Sequence, residues 1–138
     1  MNRPSTDSQI LFFELEIPMK TSPIVVVGER AAGKTTAATM IACALGPMTT
    51  WGEFATMKQI DSIQRTGVRV VVDGPRDARQ LASLRKAGAI VVHVVEKRGP
   101  INGGMMDDLV LINTGSLEKL KCSVEGILPA FRGSKYLH

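Results

Sequence analysis

Residues 24–46 read Ile-Val-Val-Val-Gly-Glu-Arg-Ala-Ala-Gly-Lys-Thr-Thr-Ala-Ala-Thr-Met-Ile-Ala-Cys-Ala-Leu-Gly, and this stretch decides the fold. It opens with four apolar, mostly β-branched residues, Ile24 to Val27, which predict a buried strand. The Ala-rich segment from Thr35 to Leu45 predicts a helix, and Gly46 is placed to end it. A buried strand that leads through a glycine-bearing turn into a helix indicates an α/β domain.

The turn between this strand and helix carries the pattern G-x-x-x-x-G-K-[ST], with its fixed positions at Gly28, Gly33, Lys34 and Thr35. In such a turn, backbone N–H groups surround phosphate oxygens and the helix N-terminus adds partial positive charge. Lys34 is expected to neutralise the β- and γ-phosphates of a nucleotide, and the Thr35 hydroxyl to help hold Mg²⁺. The alternative is a turn that matches the pattern by chance. The strand before it and the helix after it favour nucleotide-phosphate binding.

The composition is that of one soluble globular domain. The chain has 138 residues, of which 44% are hydrophobic and 22% charged. No apolar run approaches the roughly 20 residues of a membrane span, and Glu14 and Glu16 interrupt the apolar stretch near the start, unlike a secretory signal. Cys43 and Cys122 lie in predicted helices without metal-type spacing. We expect buried free thiols in a reducing cytoplasm rather than a disulfide.

The net charge of +4 suits an anionic ligand, and it also suits nucleic acid. The basic residues are scattered, however, and the chain has only four Phe, one Trp and one Tyr. Single-strand binding uses aromatic stacking platforms along a positive groove. Nucleic-acid binding is therefore the less favoured interpretation.

Residues 1–19 form an N-terminal extension ahead of a domain that spans 20–138. Ile10 to Ile17 predicts a strand that Pro18 stops. The extension is an upstream addition, an extra edge strand of the sheet or a partner contact, and the sequence does not decide among these.

A short second strand is predicted from Met48 to Trp51, followed by a helix from Glu53 to Arg65 that Gly67 ends. Phe54 and Met57 belong to the apolar stripe of that helix. Core packing is the favoured interpretation for both, with a wall against a nucleotide base as the alternative.

The next predicted strand, Val68 to Val72, runs into Asp73, with Arg76 three residues later. A carboxylate at the carboxyl end of a buried parallel strand lies where open α/β sheets bind ligands. There Asp73 is expected to orient a water on Mg²⁺; the alternative is a cap for the following turn. Arg76 is either a phosphate ligand or an ordinary surface arginine.

Asp77 to Ala87 predicts a helix with Leu81 and Leu84 inward. Its basic residues Arg79, Arg85 and Lys86 are interpreted as a solvated face. Gly88 is expected to end this helix before the next apolar strand.

The apolar strand from Ala89 to Val95 contains His93, which we interpret as a core or edge histidine rather than a catalytic one. After it, Lys97 and Arg98 lie in a glycine-rich connection that fits a small mobile lid. Either could reach a transferring phosphoryl group, and ordinary exposure is the equal alternative. Asp107 and Asp108 lack the neighbours of a metal site and are interpreted as loop residues.

A last short strand is predicted from Leu109 to Ile112, followed by a turn at residues 113–115. Ser116 is a good N-cap for a helix from Leu117 to Leu128, which Pro129 is expected to stop. The predicted inward stripe of this helix consists of Leu117, Leu120, Val124 and Ile127.

Strands and helices alternate from residue 24 onward, with five predicted strands. This pattern predicts a three-layer α/β domain with a parallel sheet covered on both faces. The phosphate-loop motif, Asp73, the Lys97–Arg98 connection and the Asn113 turn should then meet at the carboxyl edge of the sheet.

The chain resembles the P-loop nucleoside monophosphate kinases, and in particular the phage-type deoxynucleoside monophosphate kinases. The resemblance covers about residues 20–128. It rests on residues 28–36, on the strand 68–72 with its Asp-Gly-Pro-Arg sequence at 73–76, on the helix–Gly88–strand unit, and on residues 111–120, Leu-Ile-Asn-Thr-Gly-Ser-Leu-Glu-Lys-Leu.

The resemblance implies a P-loop NTPase fold with strand order 2-3-1-4-5 and transfer from ATP with Mg²⁺ to a nucleoside monophosphate, without a covalent intermediate. It implies that Asp73 supports magnesium or the acceptor, that Arg76 meets the acceptor phosphate, and that Asn113 and Gly115 flank the adenine. The implied phosphate ligands are Gly28, Glu29, Arg30, Ala31, Ala32, Gly33, Lys34, Thr35 and Thr36.

The family's acceptor-binding insertion is longer than Pro47 to Gly67, and its lid is longer than the connection that carries Lys97 and Arg98. These departures motivate the main alternative, a non-enzymatic P-loop protein that acts through a protein partner. A plain NTPase is a further alternative. The base and sugar of the acceptor and the oligomeric state, a homodimer included, stay open.

Overall fold

The structure is a computed structural model, and it describes residues 21–29, 32–99, 101 and 104–134. The predicted N-terminal extension and its edge strand lie outside the described residues, as do Arg30 and Ala31 of the phosphate-loop motif.

The described chain alternates strands and helices from one end to the other. The strands are β1 (Ile24–Gly28), β2 (Thr49–Gly52), β3 (Arg69–Asp73), β4 (Ile90–Val95) and β5 (Leu109–Ile112). The helices are α1 (Lys34–Leu45), α2 (Met57–Gln64), α3 (Ala78–Lys86) and α4 (Leu117–Ser134).

The five strands form one parallel sheet in the order β2-β3-β1-β4-β5. The predicted α/β class, the parallel pairing and the strand order 2-3-1-4-5 are confirmed. Strand β1 lies at the centre, where Val26 is in register with Asp73 of β3 and Gly28 with Val94 of β4. The parallel arrangement brings the carboxyl ends of all the strands to one edge.

Successive residues of the central strands face two separate hydrophobic cores. Ile24 and Val26 pack with residues of α1 and α4. Val25 packs on the opposite face with Ile60 of α2 and Leu84 of α3. The period of two along a strand thus places helices on both faces of the sheet, which is why β1, β3 and β4 are continuous apolar runs.

Helix α2 begins at Met57, four residues later than predicted. Thr56 is its N-cap: the Thr56 hydroxyl accepts a hydrogen bond from Gln59 N at 3.2 Å, and Gln59 Oε1 accepts from Thr56 N at 3.3 Å. This capping box fixes the first turn and leaves Glu53 and Phe54 in the preceding loop. Phe54 and Met57 pack against the core that contains Ile60, as the core interpretation expected.

Helix α4 does not stop at Pro129 but continues to Ser134, with Pro129 inside it. The prediction was wrong because a tertiary anchor holds the last turns. Phe131 is fully buried, and its carbonyl oxygen accepts a hydrogen bond from Arg69 Nη2 at 3.1 Å. The Arg69 guanidinium also lies 5.9 Å from the centre of the Phe131 ring, and burial lowers the pKa of Arg69.

Three further predictions about burial need correction. Leu117, expected in the inward stripe of α4, is 65% exposed. Cys43 and Cys122 are free, as predicted, but both are exposed rather than buried.

Among the described residues, no helix has the length and apolar character needed to cross a membrane.

Candidate functional site

Gly28, the last residue of β1, lies where a side chain would not fit. A Cβ atom on Gly28 would be 2.9 Å from the carbonyl oxygen of Val94 on the neighbouring strand. The first glycine of the motif therefore allows β1 and β4 to stay close at the point where the chain leaves the sheet.

Gly33 begins helix α1 with a left-handed backbone, at φ 87° and ψ 25°. Its carbonyl oxygen accepts the first helical hydrogen bond, from Ala37 N at 2.9 Å. Gly33 has no side chain to cap the helix, and the first turn has no acidic residue. The backbone N–H groups of Lys34, Thr35 and Thr36 precede that first bond, which is the arrangement that binds anions at helix N-termini.

The Lys34 side chain extends toward the end of β3. A Cβ atom on Gly74, whose φ is 85°, would be 2.5 Å from Lys34 Nζ. The amine is therefore packed over the residue that follows Asp73, and a side chain at 74 would displace it. Lys34 and Asp73 are thus brought to the same edge of two adjacent strands, as expected.

Asp73 is 6% exposed, and its Oδ1 atom forms no hydrogen bond within the part of the chain that the structure describes. The alternative role as a cap belongs instead to Asp77, whose Oδ1 accepts from Gln80 N at 2.8 Å. A buried carboxylate oxygen without a partner is costly unless a cation or a donor compensates it. Its chemistry fits Mg²⁺, which takes oxygen ligands and retains several waters.

Asn113, in the turn after β5, forms a hydrogen bond with the phosphate-loop motif. Its Nδ2 donates to the Ala32 carbonyl at 2.9 Å, and its Oδ1 accepts from Gly115 N at 3.1 Å. The Asn113 backbone N–H donates to the Val95 carbonyl at 2.7 Å. A Cβ atom on Gly33 would clash with the Asn113 amide. The Asn113 side chain therefore contacts the loop directly, a contact that sequence reasoning missed.

Arg76 is exposed, and its backbone N–H donates to Gln80 Oε1 at 2.6 Å. Gln80 is buried and its Nε2 donates to the Phe54 carbonyl at 2.8 Å. Gln80 thus ties the loop after β2 to the loop after β3 and fixes the backbone from which the Arg76 guanidinium extends.

A cavity of about 510 Å³ lies beside the start of the phosphate-loop motif, on the side of β4. Arg98 and Lys97 line it together with Gly28, Glu29 and His93. Arg98 also borders a second cavity of about 450 Å³ near Thr114 of the Asn113 turn. The lid candidates are therefore exposed residues that face the motif.

A densely hydrogen-bonded carboxylate, Asp108 at the amino end of β5, was not predicted. Asp108 accepts from Arg85 Nη1 at 2.8 Å, from Arg85 Nη2 at 2.7 Å and from Met105 N at 3.0 Å, and lies 2.7 Å from His93 Nε2. Hydrogen bonding to Arg85 is the main cause that holds the pKa of Asp108 far below its usual range, and the same bond raises the pKa of Arg85.

This cluster corrects the interpretation of Arg85 and gives the loop residue Asp108 a role that was not predicted. Arg85 does not belong to a solvated face, and Asp108 is a structural anchor for the loop between β4 and β5. His93, 4% exposed, is a core histidine with a partner, as expected. Two hints of this cluster are present in the sequence: a histidine inside a valine-rich strand and a carboxylate directly before an apolar strand. The pairing could not be predicted from them, because 23 residues separate Arg85 from Asp108. Only the fold brings them together.

A scan of protein-family models, a search of curated proteins and a search of solved structures found no match to this chain. Within the described ranges, no group of three or more His, Cys, Asp or Glu side chains is arranged to hold a metal ion. Any Mg²⁺ at this edge would thus rely on Thr35, Asp73 and non-protein oxygens.

Proposed function

We propose that this chain has a P-loop NTPase fold and transfers the γ-phosphoryl group of ATP to a nucleoside or deoxynucleoside monophosphate. One observation carries the proposal: the Lys34 amine and the partnerless Asp73 oxygen lie at the same edge of adjacent strands. Helix α1, whose N-cap is Gly33, begins at that edge. Together they supply a cation, a carboxylate and N–H donors for a magnesium polyphosphate.

Each predicted residue has a role in this proposal. Residues 28–36 surround the β- and γ-phosphates with backbone N–H groups, and Lys34 neutralises their charge. The Thr35 hydroxyl and the Asp73 carboxylate hold Mg²⁺ and its waters. Mg²⁺ held by these two side chains would reduce the negative charge of the phosphates that repels the acceptor.

The acceptor phosphate approaches in line with the β–γ bond. Its oxygen attacks the γ-phosphorus while the bond to the bridging oxygen breaks, so that ADP and a nucleoside diphosphate are formed. Arg76 and Arg98 stabilise the charge on the transferring group. Asn113 and Gly115 lie at the adenine end of ATP.

A coupled assay for ADP formation tests this proposal, with ATP-Mg²⁺ and each of the eight common nucleoside and deoxynucleoside monophosphates. We expect turnover that depends on one or a few acceptors and that Lys34→Ala abolishes. Lys86→Ala is the matched control, since Lys86 is an exposed residue in the last turn of α3. ATP loss without dependence on any acceptor would instead indicate a plain NTPase.

A second candidate is a non-enzymatic nucleotide-binding protein that acts through a partner. The exposed apolar side chains on the edge strand β2 favour this candidate. Trp51 of β2 is 42% exposed, and Met48, which directly precedes the strand, is 58% exposed. Binding of ATP without transfer to any acceptor, together with protection of Trp51 by a partner, would support this candidate over the kinase.

A further inference from the structure

The 510 Å³ cavity beside the phosphate-loop motif is lined in part by His93, the buried partner of Asp108. His93 forms part of its wall and is 4% exposed. The cavity lies between the start of the loop, at Gly28 and Glu29, and the connection that carries Lys97 and Arg98. A volume of this size is typical of sites for small-molecule ligands.

The hydrogen bonds of His93 fix which ring nitrogen carries the proton. Nε2 lies 2.7 Å from Asp108 Oδ2, and Arg85 and the Met105 N–H hold Asp108 as an ionised acceptor. In a neutral imidazole, Nε2 is then the nitrogen that donates to Asp108, and Nδ1 can accept a hydrogen bond. The ring forms no other hydrogen bond within the described residues, so Nδ1 is left as an acceptor.

The other residues that line the cavity suit different parts of a nucleotide. Val27, Val95 and Ile101 are apolar and suit the face of a base, while Lys97 and Arg98 suit a phosphate. The cavity adjoins Gly28, the first residue of the loop proposed to hold the donor phosphates. A nucleotide in the cavity would have its phosphate close to that loop.

We propose that this cavity is the acceptor site and that His93, oriented by Asp108, accepts a hydrogen bond from an N–H or O–H group of the nucleoside monophosphate. The inference rests on the proposed function for the identity of its ligand. It gives the acceptor a site on the β4 side of the loop, despite the short segment between α1 and β3.

Equilibrium binding of nucleoside monophosphates, measured by calorimetry without ATP, tests the inference apart from turnover. In His93→Gln, the side-chain amide retains a donor to Asp108, but the acceptor at the Nδ1 position is lost. We expect this variant to bind the preferred monophosphate about tenfold more weakly, as loss of one hydrogen bond in a buried site predicts. Binding of a non-hydrolysable ATP analogue should change less than about twofold, within ordinary mutational scatter.

Two further variants keep the test decisive if His93→Gln unfolds. Val95→Phe narrows the cavity while His93 and Asp108 are retained, and it should also weaken monophosphate binding selectively. Arg65→Ala is the control, because Arg65 is exposed and forms a surface pair with Asp61 of α2.

The inference is overturned if the unmodified protein binds no monophosphate, if His93→Gln binds it as tightly as the unmodified protein, or if the ATP analogue rather than the monophosphate is lost. His93-dependent binding without any phosphoryl transfer would support the acceptor site while contradicting the kinase.

Discussion

The Asn113 side chain donates to the Ala32 carbonyl at 2.9 Å and thereby joins the turn after β5 to the phosphate-loop motif, 81 residues away in sequence. The other end of the Asn113 amide, Oδ1, accepts from Gly115 N at 3.1 Å. One side chain thus links the two stretches proposed to bind opposite ends of ATP.

Replacing Asn113 should therefore weaken ATP binding more than it weakens the fold. In Asn113→Asp a carboxylate replaces the donor and faces the Ala32 carbonyl, and we expect about a tenfold higher Kd for ATP from loss of this hydrogen bond. Calorimetric titration with ATP-Mg²⁺ measures the change. The control is Lys86→Ala, an exposed residue on α3, which should bind ATP as the unmodified protein does. An unchanged Kd in Asn113→Asp would show that the Asn113–Ala32 hydrogen bond has no part in binding.

Asp73→Asn should raise thermal stability and lower phosphoryl-transfer activity. Because Asp73 Oδ1 is buried without a partner, removing the charge removes a desolvation penalty. We expect Tm to rise by about 3 °C, the shift that 1 kcal/mol gives in a chain of this size. Phosphoryl transfer should fall at least about 100-fold, as expected for loss of a group that stabilises transition-state charge.

Thermal unfolding in the absence of nucleotide and the coupled assay measure the two effects on one preparation. A lower Tm would indicate that Asp73 has a structural partner instead. Asp77→Asn is a useful comparison, because an asparagine can still cap α3 and both measurements should change little.

Asp108→Asn should destabilise the protein by about 2–4 kcal/mol at pH 7, since it breaks a buried pair with Arg85 and weakens the bond to His93. The folded pKa of Asp108 lies well below the unfolded value near 4. Its contribution to stability is therefore complete above about pH 4 and is lost as the pH falls toward the folded pKa.

Urea unfolding of both proteins between pH 7 and pH 2.5 checks this sign. The difference in free energy of unfolding should stay constant down to about pH 4 and shrink below it. A difference that grows on acidification would contradict the assignment of Asp108 as an ionised anchor.

Much of this fold follows from local patterns in the sequence. The β-branched apolar runs of β1, β3 and β4, separated by helices that end near glycines, are sufficient to predict a parallel sheet. The missed features depend on contacts between distant residues. The contact between Arg69 and Phe131 joins residues 62 apart in sequence and holds the last turns of α4. The local sequence around Pro129 does not reveal this contact, so it could not predict that the helix continues.

The same distinction applies to the candidate site. The positions of Gly28, Gly33, Lys34 and Asp73 at one edge of the sheet could be predicted from their spacing, because they flank strand ends, and their binding roles stay predictions. The roles of Asn113, Arg85 and Asp108 could not be predicted, because each depends on a partner supplied by another element of the fold.

Helix α4 offers a direct test of the anchor that was missed. Phe131→Ala should cost about 3–5 kcal/mol, as for a fully buried aromatic residue. Pro129→Ala should stabilise the protein, because alanine restores a helical N–H donor and removes a clash with the preceding turn. Urea unfolding measures both, and a destabilised Pro129→Ala variant would show that the helix does not continue through this position.

The central claim is that the turn from Gly28 to Thr35 binds a nucleotide polyphosphate. Calorimetric titration of the unmodified chain, Lys34→Ala and Lys86→Ala with ATP-Mg²⁺ and with AMP tests it most directly. We expect ATP-Mg²⁺ to bind the unmodified chain and Lys86→Ala alike, and Lys34→Ala at least about tenfold more weakly, as for loss of a charge-assisted contact worth about 1.4 kcal/mol or more. Equal binding of ATP-Mg²⁺ by all three, or binding by none, would contradict the claim.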